Sequence, residues 1–262
     1  MNPYIPKFVK ILKIENLAKG IKLFRLAYSC DNQPGQFVEL FLPHYGEAPM
    51  SVCSHSKDYI EVCVRAVGNI TRAMHRMHID EKIGVRGPYG HGYPVSEFKN
   101  KHVYLIGGGT GVAPLRSVVH YALKHRQTFA SLNMFFGFRT PNDVLFQHEL
   151  KEWGLMFNLY LTVDHPTKKW RYSCGLITSL IEEQKLINKN SVALVCGPPI
   201  MIKFVVKCLL NQGFTDEQIY ISMERLMRCG IGKCGHCMID GLYVCKDGPV
   251  FSYDKIRGME TK

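Results

Sequence analysis
The chain has 262 residues and a formal net charge of +11, with 46% hydrophobic and 21% charged residues. That length suits two domains plus a small module, and the balance is that of an ordinary globular protein rather than a disordered one. No apolar run nears the roughly 20 residues of a membrane-spanning helix, so no membrane span is expected. The segment Met1–Asn–Pro–Tyr–Ile–Pro6 lacks an apolar secretory core, and ten cysteines without such a signal suggest a reducing compartment, so the expected location is the cytoplasm. The basic residues are scattered rather than gathered into a stripe. That disfavours nucleic acid and favours phosphate-rich ligands and an acidic protein partner.

Residues 1–100 read as β structure. Phe8 to Ile14, Ile21 to Tyr28, Gln36 to Leu42, Tyr59 to Val67 and Lys82 to Arg86 are short, partly alternating runs separated by Gly, Pro, Asn and Asp. Strands at that spacing predict a small closed β-barrel, with Ile70 to Met77 as a helix within it. Near Lys101 the pattern changes. Val103 to Ile106, Leu132 to Phe138, Phe157 to Val163 and Ser191 to Cys196 read as strands, and Leu115 to His125, Leu145 to Trp153 and Met201 to Gln212 as helices. That alternation predicts an α/β domain with a parallel sheet and helices on both faces over residues 101–221. Residues 222–262 follow neither pattern and form a cysteine-rich module with a tail.

Three groups of motifs carry chemistry. Gly107–Gly–Gly–Thr–Gly–Val–Ala–Pro114 follows a predicted strand and opens a helix, where glycines and unpaired N–H groups can cradle a phosphate; Gly108, Gly109, Thr110, Gly111 and Pro114 are the candidates. It is not the G-x-G-x-x-G fingerprint. Cys196–Gly197–Pro198–Pro199–Ile–Met201 ends another strand, so two strand ends of one sheet can hold the two halves of a dinucleotide. In the barrel, Ala48–Pro49–Met50–Ser51 follows a strand, Cys63–Val64–Arg65 lies on the next, and Gly68–Asn69–Ile70–Thr71 opens the short helix. Arg65 and the Gly68 to Thr71 turn can receive a pyrophosphate. Finally, Cys229, Cys234, Cys237 and Cys245 stand as C-x4-C-x2-C with the last after seven more residues. That is the plant-type spacing for a 2Fe–2S cluster. Structural zinc is an alternative, although only Cys234 and Cys237 form the knuckle that zinc sites use in pairs, and disulfides are another. His75 and His78 read as surface histidines, and Cys30, Cys53, Cys174 and Cys208 as buried small hydrophobes.

The order of these pieces resembles the ferredoxin–NADP reductase superfamily, in which a flavin barrel precedes a nicotinamide domain carrying G-G-T-G and C-G-P-P. With a 2Fe–2S module appended, the chain resembles the electron-transfer subunits of dihydroorotate dehydrogenase, of cytoplasmic sulfhydrogenases (the gamma subunit) and of anaerobic sulfite reductase. Gly46–Glu–Ala–Pro49, Arg65–Ala–Val–Gly68, Gly90–His–Gly–Tyr–Pro94, Gly197–Pro–Pro–Ile–Met201, Gly232–Lys–Cys–Gly–His–Cys237 and Val244–Cys–Lys–Asp–Gly–Pro249 match the last two, and the anaerobic sulfite reductase family is preferred. One departure is Ala48, where the superfamily's flavin motif starts with Arg; Arg65 is the expected substitute.

The resemblance implies FAD in the barrel, a nicotinamide cofactor on the second domain and a relay from NADH through FAD and 2Fe–2S to a partner. Pro49, Met50, Ser51, Cys63, Val64, Arg65 and Gly68 to Thr71 would hold the flavin, with the Ser51 hydroxyl at its N5 atom. Gly108 to Gly111, Pro114, Arg139, Cys196 to Pro199 and Met201 would hold the nicotinamide cofactor, with Cys196 beside the ring. Ser51 and Cys196 are thus the catalytic candidates. Phe138 to Asp143 would line the adenosine, and the charges of Asp143 and Asp164 favour NADH over NADPH. The chain offers no site for the terminal reaction, so partner iron–sulfur and terminal catalytic subunits of a multi-subunit reductase are implied, docking near Lys233, His236 and Lys246. The competing classes are a non-enzymatic, zinc-stabilised binding module and a nucleic-acid binder.

Overall fold
The computed structural model describes residues 2–125 and 128–259. Six strands build the first part: β1 (Lys7–Ala18), β2 (Ile21–Leu26), β3 (Phe37–Leu42), β4 (Gly46–Ser51), β5 (Ile60–Arg65) and β6 (Lys82–Tyr89). They form one antiparallel sheet in the order β4-β3-β6-β1-β2-β5. A bridge between Val52 and Val62 brings the two outer strands together, closing the sheet into a barrel. Alternate residues such as Val9, Ile11, Val38, Leu40, Val62 and Val64 fill its interior. The short helix α1 (Asn69–Met74) follows β5. Strand β4 is not visible as a strand in the sequence, because Gly46 and Pro49 read as a turn. Its ladder partner is β3, so it lies at an edge of the hydrogen-bonded order, where a residue without an N–H is tolerated.

The second part runs β7 (His102–Gly108), α2 (Val112–Lys124), β8 (Ser131–Phe138), α3 (Gln147–Met156), β9 (Asn158–Val163), β10 (Ser173–Cys174), α4 (Ile177–Gln184), β11 (Ser191–Cys196), α5 (Pro199–Asn211) and β12 (Ile219–Ser222). The strands are parallel in the order β10-β9-β8-β7-β11-β12. Both faces are buried, which is why these strands read as unbroken apolar runs. Val103, Leu105, Val192 and Leu194 pack on the α2 and α3 side. Tyr104, Ile106, Ala193 and Val195 pack on the α4 and α5 side. Helix α4 is absent from the sequence-based expectation because eight residues carry too little periodicity, although Ile177, Leu180 and Ile181 are buried at helical spacing.

The cysteine module adds β13 (Met238–Ile239), β14 (Leu242–Tyr243), α6 (Val244–Asp247), β15 (Val250–Ser252) and α7 (Tyr253–Ile256); residues 260–262 of the tail lie outside the described residues. It is not a separate bead. Strand β15 pairs antiparallel with β12, extending the parallel sheet to seven strands. Cys237, Ile239, Val244 and Cys245 share a core with Val195, Val205 and Leu209. The module also meets the barrel, where the His91 N–H donates to the Gly248 carbonyl at 2.5 Å and His91 bridges Pro249.

A buried ion-pair network joins barrel to α/β domain. Arg116 on α2 is 4% exposed. It donates to the Cys53 carbonyl at 2.9 Å, to Glu61 Oε2 at 2.7 Å and to Glu149 Oε1 at 2.7 Å. Glu61 on β5 also accepts from Arg25 at 2.9 Å, and Glu149 from His120. Among the described residues no helix is long and apolar enough to cross a membrane.

Candidate functional site
The chain lays down β7 first, steps outward through β8 to β10, then returns to place β11 on the other side of β7. The switch point where ligands settle in such sheets therefore lies between β7 and β11. Both glycine motifs end there, since Cys196 pairs in register with Gly107. The two loops touch so closely that side chains are excluded: a Cβ on Gly111 would lie 2.4 Å from the Cys196 carbonyl oxygen, and one on Gly108 2.3 Å from Met201 Sδ. Gly109 adopts φ +54° with nothing within 4 Å of its Cβ direction, so its conformation needs glycine while its outer side stays open. Gly109 to Gly111 form a tight turn that runs into α2, and Pro114 is buried in the first turn of that helix. Helix α5 starts at Pro199, so Pro199 and Met201 sit in its first turn rather than ahead of it. This cradle fits the phosphates of a dinucleotide.

Cys196 is 1% exposed, and burial first, then the negative charge of Glu224, pushes its thiol up to about 12. It therefore keeps its proton at neutral pH. Beside it stand Ser222, Glu224 and Tyr93. Tyr93 is 1% exposed, with its hydroxyl close to Ser222. Burial of its carboxyl raises the proton affinity of Glu224, although the residue keeps an exposed face. Tyr93 enters the sequence analysis only within the Gly90–His–Gly–Tyr–Pro94 motif, with no role of its own, and Glu224 does not enter it. Glu224 carries a signal: it is a carboxylate two residues beyond a short β-branched run that leads into the cysteine motif.

In the barrel, Pro49, Met50 and Ser51 end β4, all half-buried, and Ser51 pairs in register with Phe37. No protein group engages the Ser51 hydroxyl among the described residues. On β5, Val64 is buried and Cys63 half-buried. Arg65 is exposed, and no carboxylate among the described residues pairs with it. Burial pushes the Cys63 thiol up to about 12. At the turn into α1, Thr71 Oγ1 accepts from the Val67 and Gly68 N–H groups at 3.1 and 2.9 Å. The Gly68 N–H, expected to face a ligand, is thus already satisfied. Ile70 is buried, and Gly68 and Asn69 are exposed. The free Ser51 hydroxyl and the open Arg65 side chain fit the polar edge and the pyrophosphate of a flavin dinucleotide.

Beyond β8, Arg139 is exposed, whereas Asp143 Oδ2 accepts from the Thr140 N–H at 3.0 Å and Oγ1 at 2.7 Å. Asp143 is thus a turn cap as well as a charge. His75 is half-buried, with Nε2 2.9 Å from the Val64 carbonyl, so of this pair it is His78 that lies plainly on the surface. Cys174 is exposed and Cys30 half-buried, so of the four cysteines expected inside only Cys53 and Cys208 are buried. Cys174 ends an edge strand of two residues, and such a strand has no second sheet to cover it.

The four clustered cysteines lie on a loop curled by Gly230, Gly232 and Gly235, all at φ between +70° and +75°. Backbone N–H groups point at the sulfurs: Gly232 to Cys245 at 3.1 Å, Lys233 to Cys229 at 3.3 Å and Cys245 to Cys237 at 3.4 Å. Burial opposes ionisation of Cys229, but the N–H groups of Ile231, Lys233 and Cys234 bring it down to about 6. Among the described residues no three such side chains are drawn together as a single-ion site. Cys229 neighbours Cys234, and Cys245 neighbours both Cys237 and Cys229. Four neighbouring cysteines at this spacing, with backbone N–H groups aimed at their sulfurs, would suit a two-iron cluster. Cys237 and Cys245 are 2% and 1% exposed, whereas Cys234 is exposed along with Lys233, and His236 and Lys246 are also on the surface.

Residues 105–207 match the family model for the oxidoreductase NAD-binding domain, and residues 224–257 that for the iron-sulfur cluster binding domain of dihydroorotate dehydrogenase B. The chain is 37% identical to sulfhydrogenase 2 subunit gamma of Pyrococcus furiosus, covering 97% of this chain and 96% of that one. It is 31% identical to the probable dihydroorotate dehydrogenase B (NAD(+)) electron transfer subunit of the same organism, covering 93% and 89%. Among solved structures it resembles an NADH-dependent reduced ferredoxin-NADP oxidoreductase studied for flavin-based electron bifurcation. That likeness has 26% identity and a TM-score of 0.80 and covers 96% of this chain and 89% of that one.

Proposed function
The chain belongs to the family of sulfhydrogenase gamma subunits and dihydroorotate dehydrogenase B electron-transfer subunits, and we propose that it takes electrons from NADH through FAD and a 2Fe–2S cluster to a partner catalytic subunit. The observation that carries this reading is that the cysteine module packs on both the barrel and the nucleotide sheet. Strand β15, past the last cysteine, pairs with the nucleotide sheet, and its approach segment pairs with the barrel at His91. In this reading residues 1–100 hold the flavin, 101–221 the nicotinamide cofactor and 222–262 the cluster.

A bound flavin supplies the exchange between hydride and single electrons. The chain supplies the rest. Gly108 to Gly111 admit the nicotinamide cofactor's phosphates, and Cys196 to Pro199 with Met201 border its ring. Cys196, which keeps its proton, packs there rather than acting as a base. Ser51 orients the flavin edge, and Arg65 replaces the arginine missing at position 48. With the cofactors bound, a Glu224 carboxylate oxygen, whose proton affinity is raised by burial beside Cys196, would be the group to take up the one proton left when a hydride departs as two single electrons. Arg139, on the surface beyond β8, meets the adenosine-side phosphates, with Asp143 and Asp164 favouring NADH. Ten cysteines, four of them gathered as candidate cluster ligands, suit a reducing cytoplasm.

The acceptor we favour is a sulfhydrogenase-type complex, on the 37% identity along nearly the whole chain. The second reading, a sirohaem sulfite reductase, rests on the motif resemblance. Anaerobic copurification with metal and haem analysis separates them: nickel in the partner supports the first, sirohaem the second. The relay itself is tested by absorption spectroscopy. Flavin and iron–sulfur bands that bleach with NADH are expected; a colourless protein holding stoichiometric zinc would refute it.

A further inference from the structure
The cluster loop rests on the barrel at one buried point. Arg86 on β6 is 4% exposed, yet its charge lies inside the contact between two parts of the molecule. Its guanidinium donates to both carboxylate oxygens of Glu47 on β4, at 2.7 Å each. The remaining donors reach the cluster loop, meeting the Cys229 carbonyl at 2.6 Å and the Arg228 carbonyl at 3.1 Å. A planar fork fixed on one side by a bidentate carboxylate leaves its other N–H groups little freedom, so the two carbonyls are held in place as well. Gly230 completes the seat: it adopts φ +72°, and a Cβ there would come within 3.1 Å of Glu39 on β3.

What this contact links gives it a role. Glu47 lies two residues before Pro49 on the strand that ends in Ser51, while Cys229 is the first cysteine of the cluster motif. The geometry points to Arg86, backed by Glu47, as a positioning residue. It fixes the cluster's first ligand against the flavin-bearing strand and so governs electron passage from flavin to cluster, without taking part in hydride transfer. Arg86 touches neither glycine motif of the nucleotide site. This rests on the relay reading above. If that reading fails, NADH leaves the wild-type protein unbleached; if only this inference fails, wild type bleaches normally and the variants behave like it.

The test uses Arg86→Lys, Arg86→Met and Glu47→Gln in protein matched for flavin and iron content. Lysine keeps the charge but not the fork. Stopped-flow absorbance follows flavin reduction by NADH, freeze-quench electron paramagnetic resonance follows cluster reduction, and amide hydrogen exchange of residues 228–234 is read on iron-free protein. The expected result is an unchanged flavin step. The cluster step slows by about tenfold or more, as loss of fixed geometry does elsewhere. Lysine should rescue it only in part, and loop exchange should be faster even without iron. Should Arg86→Met fail to fold, the other two variants decide. A wild-type cluster step and unaltered loop exchange in Arg86→Lys and Glu47→Gln overturn the inference. So does an equal slowing of both electron steps.

Discussion

Arg116 ties the barrel to the nucleotide domain, and the cost of removing it can be worked from its surroundings. Arg116→Met leaves a side chain of similar length but strands Glu61, 1% exposed, with Arg25 alone, and leaves Glu149 with His120 alone. Breaking one side of a buried pair costs about 3–5 kcal/mol, because the abandoned charge stays buried. Glu149 gives a second measure. Burial works against its ionisation, yet hydrogen bonds from His120 and Arg116 and their charges bring it down from 4.5 to about 2. That fall is worth roughly 3 kcal/mol of folding stability as a ceiling. The folded state holds this carboxylate's proton more weakly than the unfolded chain does. The stabilisation is therefore complete only about a unit above pH 4.5 and drains away as pH falls toward 2, with roughly 0.8 kcal/mol gone by pH 4. Urea denaturation followed by the fluorescence of buried Trp153 measures both effects. Wild type should lose stability between pH 6 and pH 4 through this group, Glu149→Gln should lack that part of the loss, and Arg116→Met should be weaker than wild type throughout. A cost below about 1 kcal/mol for Arg116→Met at neutral pH, or an acid response unchanged by Glu149→Gln, would refute the reasoning.

Gly111→Ala should abolish NADH binding in fluorescence titration and destabilise the fold by about 1–3 kcal/mol, since its methyl would overlap the Cys196 carbonyl at 2.4 Å; unaltered binding would mean the two loops do not form one cradle. Glu224→Gln should slow NADH-driven electron transfer by about a hundredfold while hardly changing KM for NADH, the signature of a lost proton acceptor, and a wild-type rate would remove Glu224 from that role. Cys234→Ser should stop delivery to the partner while flavin reduction by NADH continues. Loss of both in a folded, flavin-loaded variant would mean that the electrons do not travel in the proposed order.

The sequence is legible where local pattern and function coincide. Strands β7, β8 and β11 stand out because burial on both faces leaves no room for polar residues, and the two glycine motifs are readable because each needs glycine for close approach. The cysteine spacing is readable for the same reason, since a curled loop needs glycines between its ligands. What stays hidden depends on partners distant in the chain. Arg86 meets Cys229, Arg116 meets Glu61, and Tyr93 meets Ser222 only after the domains dock. Thr71 reads as a ligand group because its role as a cap for Gly68 cannot be told from spacing alone. Strands β12 and β15 escape notice because four and three residues are too short to show a period.

The pairing of β15 with β12 bears on how the protein is made. Until the last strand arrives, β12 presents an open edge of unpaired N–H and C=O groups, the kind of edge that recruits foreign strands. The residues that close it come after all four cysteines. A chain whose cysteine loop is slow to settle would keep that edge exposed, so iron scarcity during synthesis should appear first as aggregation of the nucleotide domain, a region that holds no iron.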